Sequence, residues 1–182
     1  MCIRDRTISF EPSTSNVRIL TRNISINNLE NSIKLFPMPL TNKENCFLTM
    51  NEGEFIEGGA LNAFGESFNF EGKNFEGEMK YKIIGTTINN LIQNNILAVP
   101  NYIKIDVDGI EHLILEGGNK YLRDEKLRSL SIEINENFKE QYNKVLKIMN
   151  ENNFKVLHKK HNKEMLFSGS RFSNTYNYVF IR

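Results

Sequence analysis

From Asn101 onward the chain alternates strand-like and helix-like stretches with little between them, and this alternation restricts its fold more than any other feature. "YIKIDV" (102–107) is an apolar run of strand length, and "GIEHLILEGGNKYL" (109–122) reads as a helix region. "LRSLSIEIN" (127–135) is a further strand. "NFKEQYNKVLKIMNENN" (137–153) is an amphipathic helix with Phe138, Tyr142, Val145, Leu146 and Met149 on one face. Strands joined through helices in this way pair in parallel. "FKVLHK" (154–159) and "TYNYVFIR" (175–182) read as two closing strands. The connection between them is short for a helical crossover, so they are expected to pair antiparallel.

The first hundred residues continue the alternation less regularly. "TISFEP" (7–12) reads as a strand. "STSNVRILTRNISINN" (13–28) reads as a helix, with Val17, Leu20 and Ile24 facing the core and Ile26 at its margin. "SIKLFPMPL" (32–40) is a second strand, closed by prolines. From Thr41 to about Glu78 the periodicity fades. "NCFLTMN" has strand character, but "EFIEGGALNAFGESFNFEGKNFEGE" is rich in Gly, Phe and Glu. Such length without a clear pattern predicts a functional insertion or partial disorder over 41–80. "KYKIIG" is expected as an extra strand and "TTINNLIQNNI" as a short helix. The expectation is therefore one α/β domain over 1–182, its sheet mainly parallel with an antiparallel end.

Composition sets limits on partners. With 182 residues and a hydrophobic fraction of 40%, the chain can bury one sizeable core. Its 23 basic and 22 acidic residues leave a net charge of +1, which offers no overall attraction to nucleic acid or anionic membrane. Cys2 and Cys46 make no disulfide framework, so a reducing, cytoplasmic setting is the default. No apolar run approaches the ~20 residues of a membrane-spanning helix, and no secretory h-region follows "MCIRDR".

Chemistry is expected where strands end, because open α/β sheets bind ligands beyond the carboxyl ends of their strands. Asp106 lies at such an end, and an unpaired carboxylate beside a buried strand is costly unless it has a task. Asp108 and Glu111 read first as a capping box at the start of the next helix, with a role in a site left open. Glu11 ends "ISFE", where it is equally a ribose-binding acid or a solvated loop acid. Glu133 interrupts an apolar strand near its end, facing the same crevice or the solvent. The glycines of "EGGALNAFG" follow no buried strand, which argues against a phosphate loop. Gly117 and Gly118 read as a helix terminus. His112, His158 and His161 show no metal-ligand spacing. Phe68, Phe70 and Phe75 form a local cluster or a lid. "DVDG" lacks an oxygen ligand that a calcium loop needs. It is also a poor match to the nucleophile motif of haloacid-dehalogenase-type phosphatases, which stands near the first strand of its domain.

Taken together, "FEPSTSNVRILTRNISINNL", "IKLFPMPLTNKE", "TTINNLI" and "VPNYIKIDVDGIEHLILEGGNKYL" resemble the FkbM family of S-adenosylmethionine-dependent methyltransferases. The resemblance runs from about Thr7 to Phe154. It implies a class I methyltransferase (Rossmann-like) sheet and O-methylation of a hydroxyl on a sugar or small metabolite. It also implies S-adenosylmethionine as cofactor and a small-molecule or glycan acceptor. Carried over by position, Glu11 would hold the cofactor's ribose, Leu40 would pack the adenine, and Asp106 would stand near the methionine part. Asp106 and Glu133 are the candidate catalytic acids. Asp108 and Glu111 are candidates for substrate or metal contact, and a divalent metal is an open possibility. The family's first strand and Gly-rich loop precede Phe-Glu-Pro, and "MCIRDR" resembles neither. The expectation is an N-terminally truncated, inactive fragment whose residues 1–6 are foreign or disordered. A non-catalytic binding domain that keeps the fold is the alternative. Asn89 stands where relatives commonly carry Asp.

Overall fold

The computed structural model describes residues 6–54, 56–161 and 170–182. The expectation for residues 1–6 therefore falls, except for Arg6, outside the described residues, as does most of the connection between the closing strands.

The chain opens with β1 (Thr7–Phe10), α1 (Thr14–Ile26) and β2 (Ile33–Phe36). The two strands run parallel, Thr7 opposite Ile33. Helix α1 starts at Ser13, whose hydroxyl accepts the Asn16 amide at 3.4 Å. Val17, Leu20 and Ile24 are half-buried as their spacing predicts, whereas Ile26, the last helical residue, is 68% exposed. β2 stops at Phe36, four residues before the expected end, because Pro37 and Pro39 have no amide to donate to a ladder. Leu40 thus lies beyond the strand, in an isolated parallel bridge with Thr86.

The section without a clear pattern contributes two strands to a small sheet, and its other described residues are mostly turns and irregular backbone. β3 (Cys46–Glu52), β4 (Ala63–Phe64) and β5 (Met79–Gly85) form an antiparallel sheet in the order β4-β3-β5. Alternate residues of β3 and β5 turn inward, Leu48 and Met50 on one strand and Tyr81 and Ile83 on the other. Each strand is short, and the two partners are separated by the long Gly- and Phe-rich stretch, which hides their pairing from a local reading.

The remaining elements are α2 (Ile88–Gln93), β6 (Tyr102–Ile105), α3 (Glu111–Glu116), β7 (Ser129–Asn135), α4 (Lys139–Glu151), β8 (Lys155–Lys160) and β9 (Thr175–Ile181). Their sheet has the order β6-β7-β9-β8. β6 and β7 are parallel, and β9 is antiparallel to both of its neighbours, which is the antiparallel end that the short closing connection predicts. Apart from the single Leu40–Thr86 bridge, parallel pairing among the described residues is confined to β1–β2 and β6–β7, so the molecule is more antiparallel than the alternation suggested.

The core gathers around β7. Leu130, Ile132 and Ile134 are fully buried and meet Ile105, Ile114, Leu115, Val145, Met149 and Phe180. Met50 and Phe64, from the antiparallel insert, belong to the same cluster. The insert is therefore fastened to the parallel strands by burial, and its position over their carboxyl ends is fixed.

Candidate functional site

Acidic side chains from four elements meet at the carboxyl ends of β1, β6 and β7. Asp106 immediately follows β6. It is exposed, and Lys104 Nζ lies 2.6 Å from its Oδ2. The premise that it is unpaired beside a buried strand is thus corrected, because the strand ends one residue earlier and its own lysine reaches round to it. Glu133, on β7, is half-buried and lies beside Asp106. Burial, reinforced by the charges of Asp106 and Asp108 and only partly offset by Lys104, pushes its carboxyl up to about 7.

Asp108 and Glu111 do not form a capping box. Helix α3 has Ile110 at its N-cap position with no side-chain cap bond. The Asp108 carboxylate reaches across the molecule instead, where its Oδ2 accepts the Asn62 amide at 2.8 Å. Burial is the main reason that its carboxyl is raised, and Asp106 adds to it. Glu111 turns inward and is 1% exposed. It accepts from the Gln141 side-chain amide, and complete burial holds its carboxyl well above the ordinary range. The two residues part because Gly109 between them adopts φ 112°, where a side chain would be strained and where a Cβ would come 2.8 Å from Asn69 O.

Glu11 follows β1 and is half-buried. Its Oε1 accepts the Ser13 amide at 2.9 Å, at the mouth of α1. Burial raises its carboxyl, and Glu52 and Asp108 raise it further through their charges. Glu11, Glu52, Asp108, Asp106 and Glu133 thus feel one another in a continuous chain. Leu40 is not part of this group. It packs partly buried against the hydrophobic core.

Two stretches of the insert are fastened beside these acids. Asn16 on α1 clamps Gly58 and Gly59, accepting one amide at 2.9 Å and donating to the next carbonyl at 3.0 Å. Arg18 and Arg22 both approach Glu57. With Asp108 holding Asn62 at the other end, residues 57–62 form a strap between α1 and the segment after β6. Residues 66–75 are tied down separately, since Asn135 Nδ2 donates to Phe70 O at 3.1 Å. The three phenylalanines considered as a lid have separate partners: Phe68 meets Phe138 edge-on, Phe70 stacks on Phe172, and Phe75 lies by Gly53. Asn89 is buried and uses both halves of its amide, donating to Asn119 and accepting from the Lys120 amide.

Sequence reasoning missed Glu52 and Tyr81. Glu52 continues the inward face of Leu48 and Met50, and a polar residue in that register was the available signal. Among the described residues no three His, Cys, Asp or Glu side chains are grouped to hold a metal ion, so the acids present do not fit one. They do fit a nucleoside-type cofactor in their donor and acceptor chemistry. Glu11 has acceptor capacity beyond its bond to Ser13, and hydroxyls and ammonium groups are donors.

Comparison with known proteins identifies the family of the domain. The sequence profile of the Methyltransferase FkbM domain matches residues 3–156. A search among curated proteins found no match. The crystal structure of Methyltransferase FkbM from Methylobacillus flagellatus KT superposes with a TM-score of 0.60 at 14% identity, over 98% of this chain and 36% of that one. The chain therefore spans about a third of the length of that relative, and at this identity the likeness speaks for the fold alone. The profile match takes in β1 with Glu11, the insert, and β6 and β7 with Asp106 and Glu133, so the chain belongs to the FkbM methyltransferase domain family.

Proposed function

We propose that this domain serves transfer of a methyl group from S-adenosylmethionine to an oxygen, the hydroxyl of a sugar or small metabolite. The observation that carries the reading is that Glu11 and Glu133, from separate strands, both feel the charge of Asp108, with Asp106 beside Glu133, within a domain of this family. When bound, the cofactor supplies a methyl group already activated by its sulfonium. The residues of this chain then have three tasks. Glu11 accepts the ribose hydroxyls. Asp106 receives the positively charged methionine part. Glu133, titrating at about 7, takes the proton that an acceptor hydroxyl gives up as it attacks. Aligning the acceptor supplies most of the remaining advantage, of the order of 7–11 kcal/mol for a well-oriented pair.

The finer fold reading belongs to the same proposal. A class I methyltransferase sheet would place one more strand between β1 and β6. Among the described residues β1 pairs only with β2 and β6 only with β7, which leaves an edge on each. Titration of the isotope-labelled 182-residue chain with S-adenosylmethionine, followed by amide NMR, tests the function. The amides of Glu11, Ser13, Val107 and Asp108 should shift in a saturable way. A spectrum unchanged at millimolar cofactor contradicts the proposal.

A further inference from the structure

The inward face of β3 carries Met50 and, two residues on, Glu52. Met50 stands opposite Tyr81 on β5, so the three side chains share one face of the antiparallel sheet. The Tyr81 hydroxyl donates to Glu52 Oε1 at 2.7 Å and also lies against Thr14, the first residue of α1. This joins the insert to the turn that carries Glu11. Glu52 is 1% exposed, yet its Oε2 has no hydrogen-bond partner. Its charge is felt at Glu11, so the two carboxylates are neighbours across the gap between β3 and the β1–α1 turn. A buried carboxylate oxygen without a donor is costly, and such groups are kept where something else supplies the donor.

We propose that Glu52 Oε2, held in place by Tyr81, accepts a hydrogen bond from a hydroxyl of a polyol bound between β3 and the β1–α1 turn, beside Glu11. This rests on the function proposed above and adds to it a binding residue from the insert, an element apart from the parallel strands. The hydroxyl belongs to the ribose of the nucleoside cofactor or to a sugar acceptor. The chemistry at Glu52 is the same for both.

The test uses the 182-residue chain and Glu52→Gln. Gln keeps an oxygen for Tyr81 and places a donor where the unpartnered acceptor stands. Affinities for adenosine, for 2′,3′-dideoxyadenosine and, on adenosine-saturated protein, for methyl β-D-galactopyranoside are measured by NMR titration. If the hydroxyl is the ribose's, Glu52→Gln weakens adenosine roughly tenfold or more and leaves dideoxyadenosine unchanged. If it is the acceptor's, adenosine is unchanged and the glycoside weakens by a similar factor. If neither ligand binds more weakly to Glu52→Gln, the proposal is overturned. A ligand-free Glu52→Gln protein that melts about 5 °C or more below the parent also overturns it, since Glu52 would then be a structural brace. Failure of the parent chain to bind adenosine would instead remove the proposed function itself, and with it this residue's role.

Discussion

Glu133 is where burial and like charge act most strongly on a group the solvent still reaches. Its folded-state value, about 7, lies above the 4.5 of an ordinary glutamate. The folded protein therefore holds a proton there that the unfolded chain has released, and stability falls as pH rises from about 4.5 to 7. Glu133→Gln removes that cost. The variant should be more stable than the parent above pH 7, by about 1–2 kcal/mol once solvent screening is allowed for, with the gap closing towards pH 4.5. Urea melts at several pH values check this, and a pH-independent difference would contradict it. Glu111 behaves differently because it is wholly buried against Gln141. Glu111→Gln keeps a neutral group of the same shape and should cost below about 1 kcal/mol at neutral pH. Glu111→Ala strands the Gln141 amide and opens a cavity, for a loss of about 2–4 kcal/mol. Comparable losses for the two variants, measured by denaturation, would show that Glu111 is ionised in the fold.

At the scale of elements, the Asp-Val-Asp-Gly-Ile-Glu segment fastens the insert. Asp106 faces Glu133, Asp108 holds the strap at Asn62, and Glu111 turns into the core beside Gln141. Asp108→Ala frees the amide of Asn62. Limited proteolysis within 56–62 should then accelerate about tenfold or more, while the melting temperature drops by about 5 °C or less. Unchanged cleavage would mean that Asn16 alone holds the strap. The two strands and the helix around this segment were legible from apolar periodicity. The direction of each acid was not. Asp-x-x-Glu suits a capping box in sequence, but the positive φ of Gly109 and the approach of Asn69 are long-range facts that turn Asp108 and Glu111 apart. β3 and β5 were legible as single strands, whereas their pairing depends on a partner some thirty residues away. Glu52 stood in the inward register of Leu48 and Met50, but its partner Tyr81 lies on the other strand of that pair.

Across the whole molecule, the three sheets differ in how well they are covered. β7 lies in the middle of the hydrophobic core cluster, with Ile132 and Ile134 fully buried. β1 and β6 each pair on one side among the described residues, and Ile8 and Tyr102 on them are exposed. β8 is an edge too, but Lys155, Lys159 and Lys160 blunt it. Amide hydrogen exchange should rank these strands, with β7 slowest and β1 and β6 markedly faster. Equal protection of β1 and β7 would contradict the account of the core. The family and the α/β class were legible in the sequence because they rest on local strand–helix periodicity and on residues close together in the chain. The central claim, that acids from separate strands form one site for a cationic nucleoside cofactor, is a claim about the assembled molecule. Titration of the side-chain carboxyl carbons by NMR, with and without S-adenosylmethionine, tests it most directly. The account predicts that Glu133 titrates near 7 and Glu11 above the ordinary glutamate range in the free protein. Both midpoints should fall together when the cofactor binds, while Glu71, held low by Arg171 and Lys73, keeps its own. A Glu133 that titrates as an ordinary glutamate, or midpoints that do not move with cofactor, would contradict it.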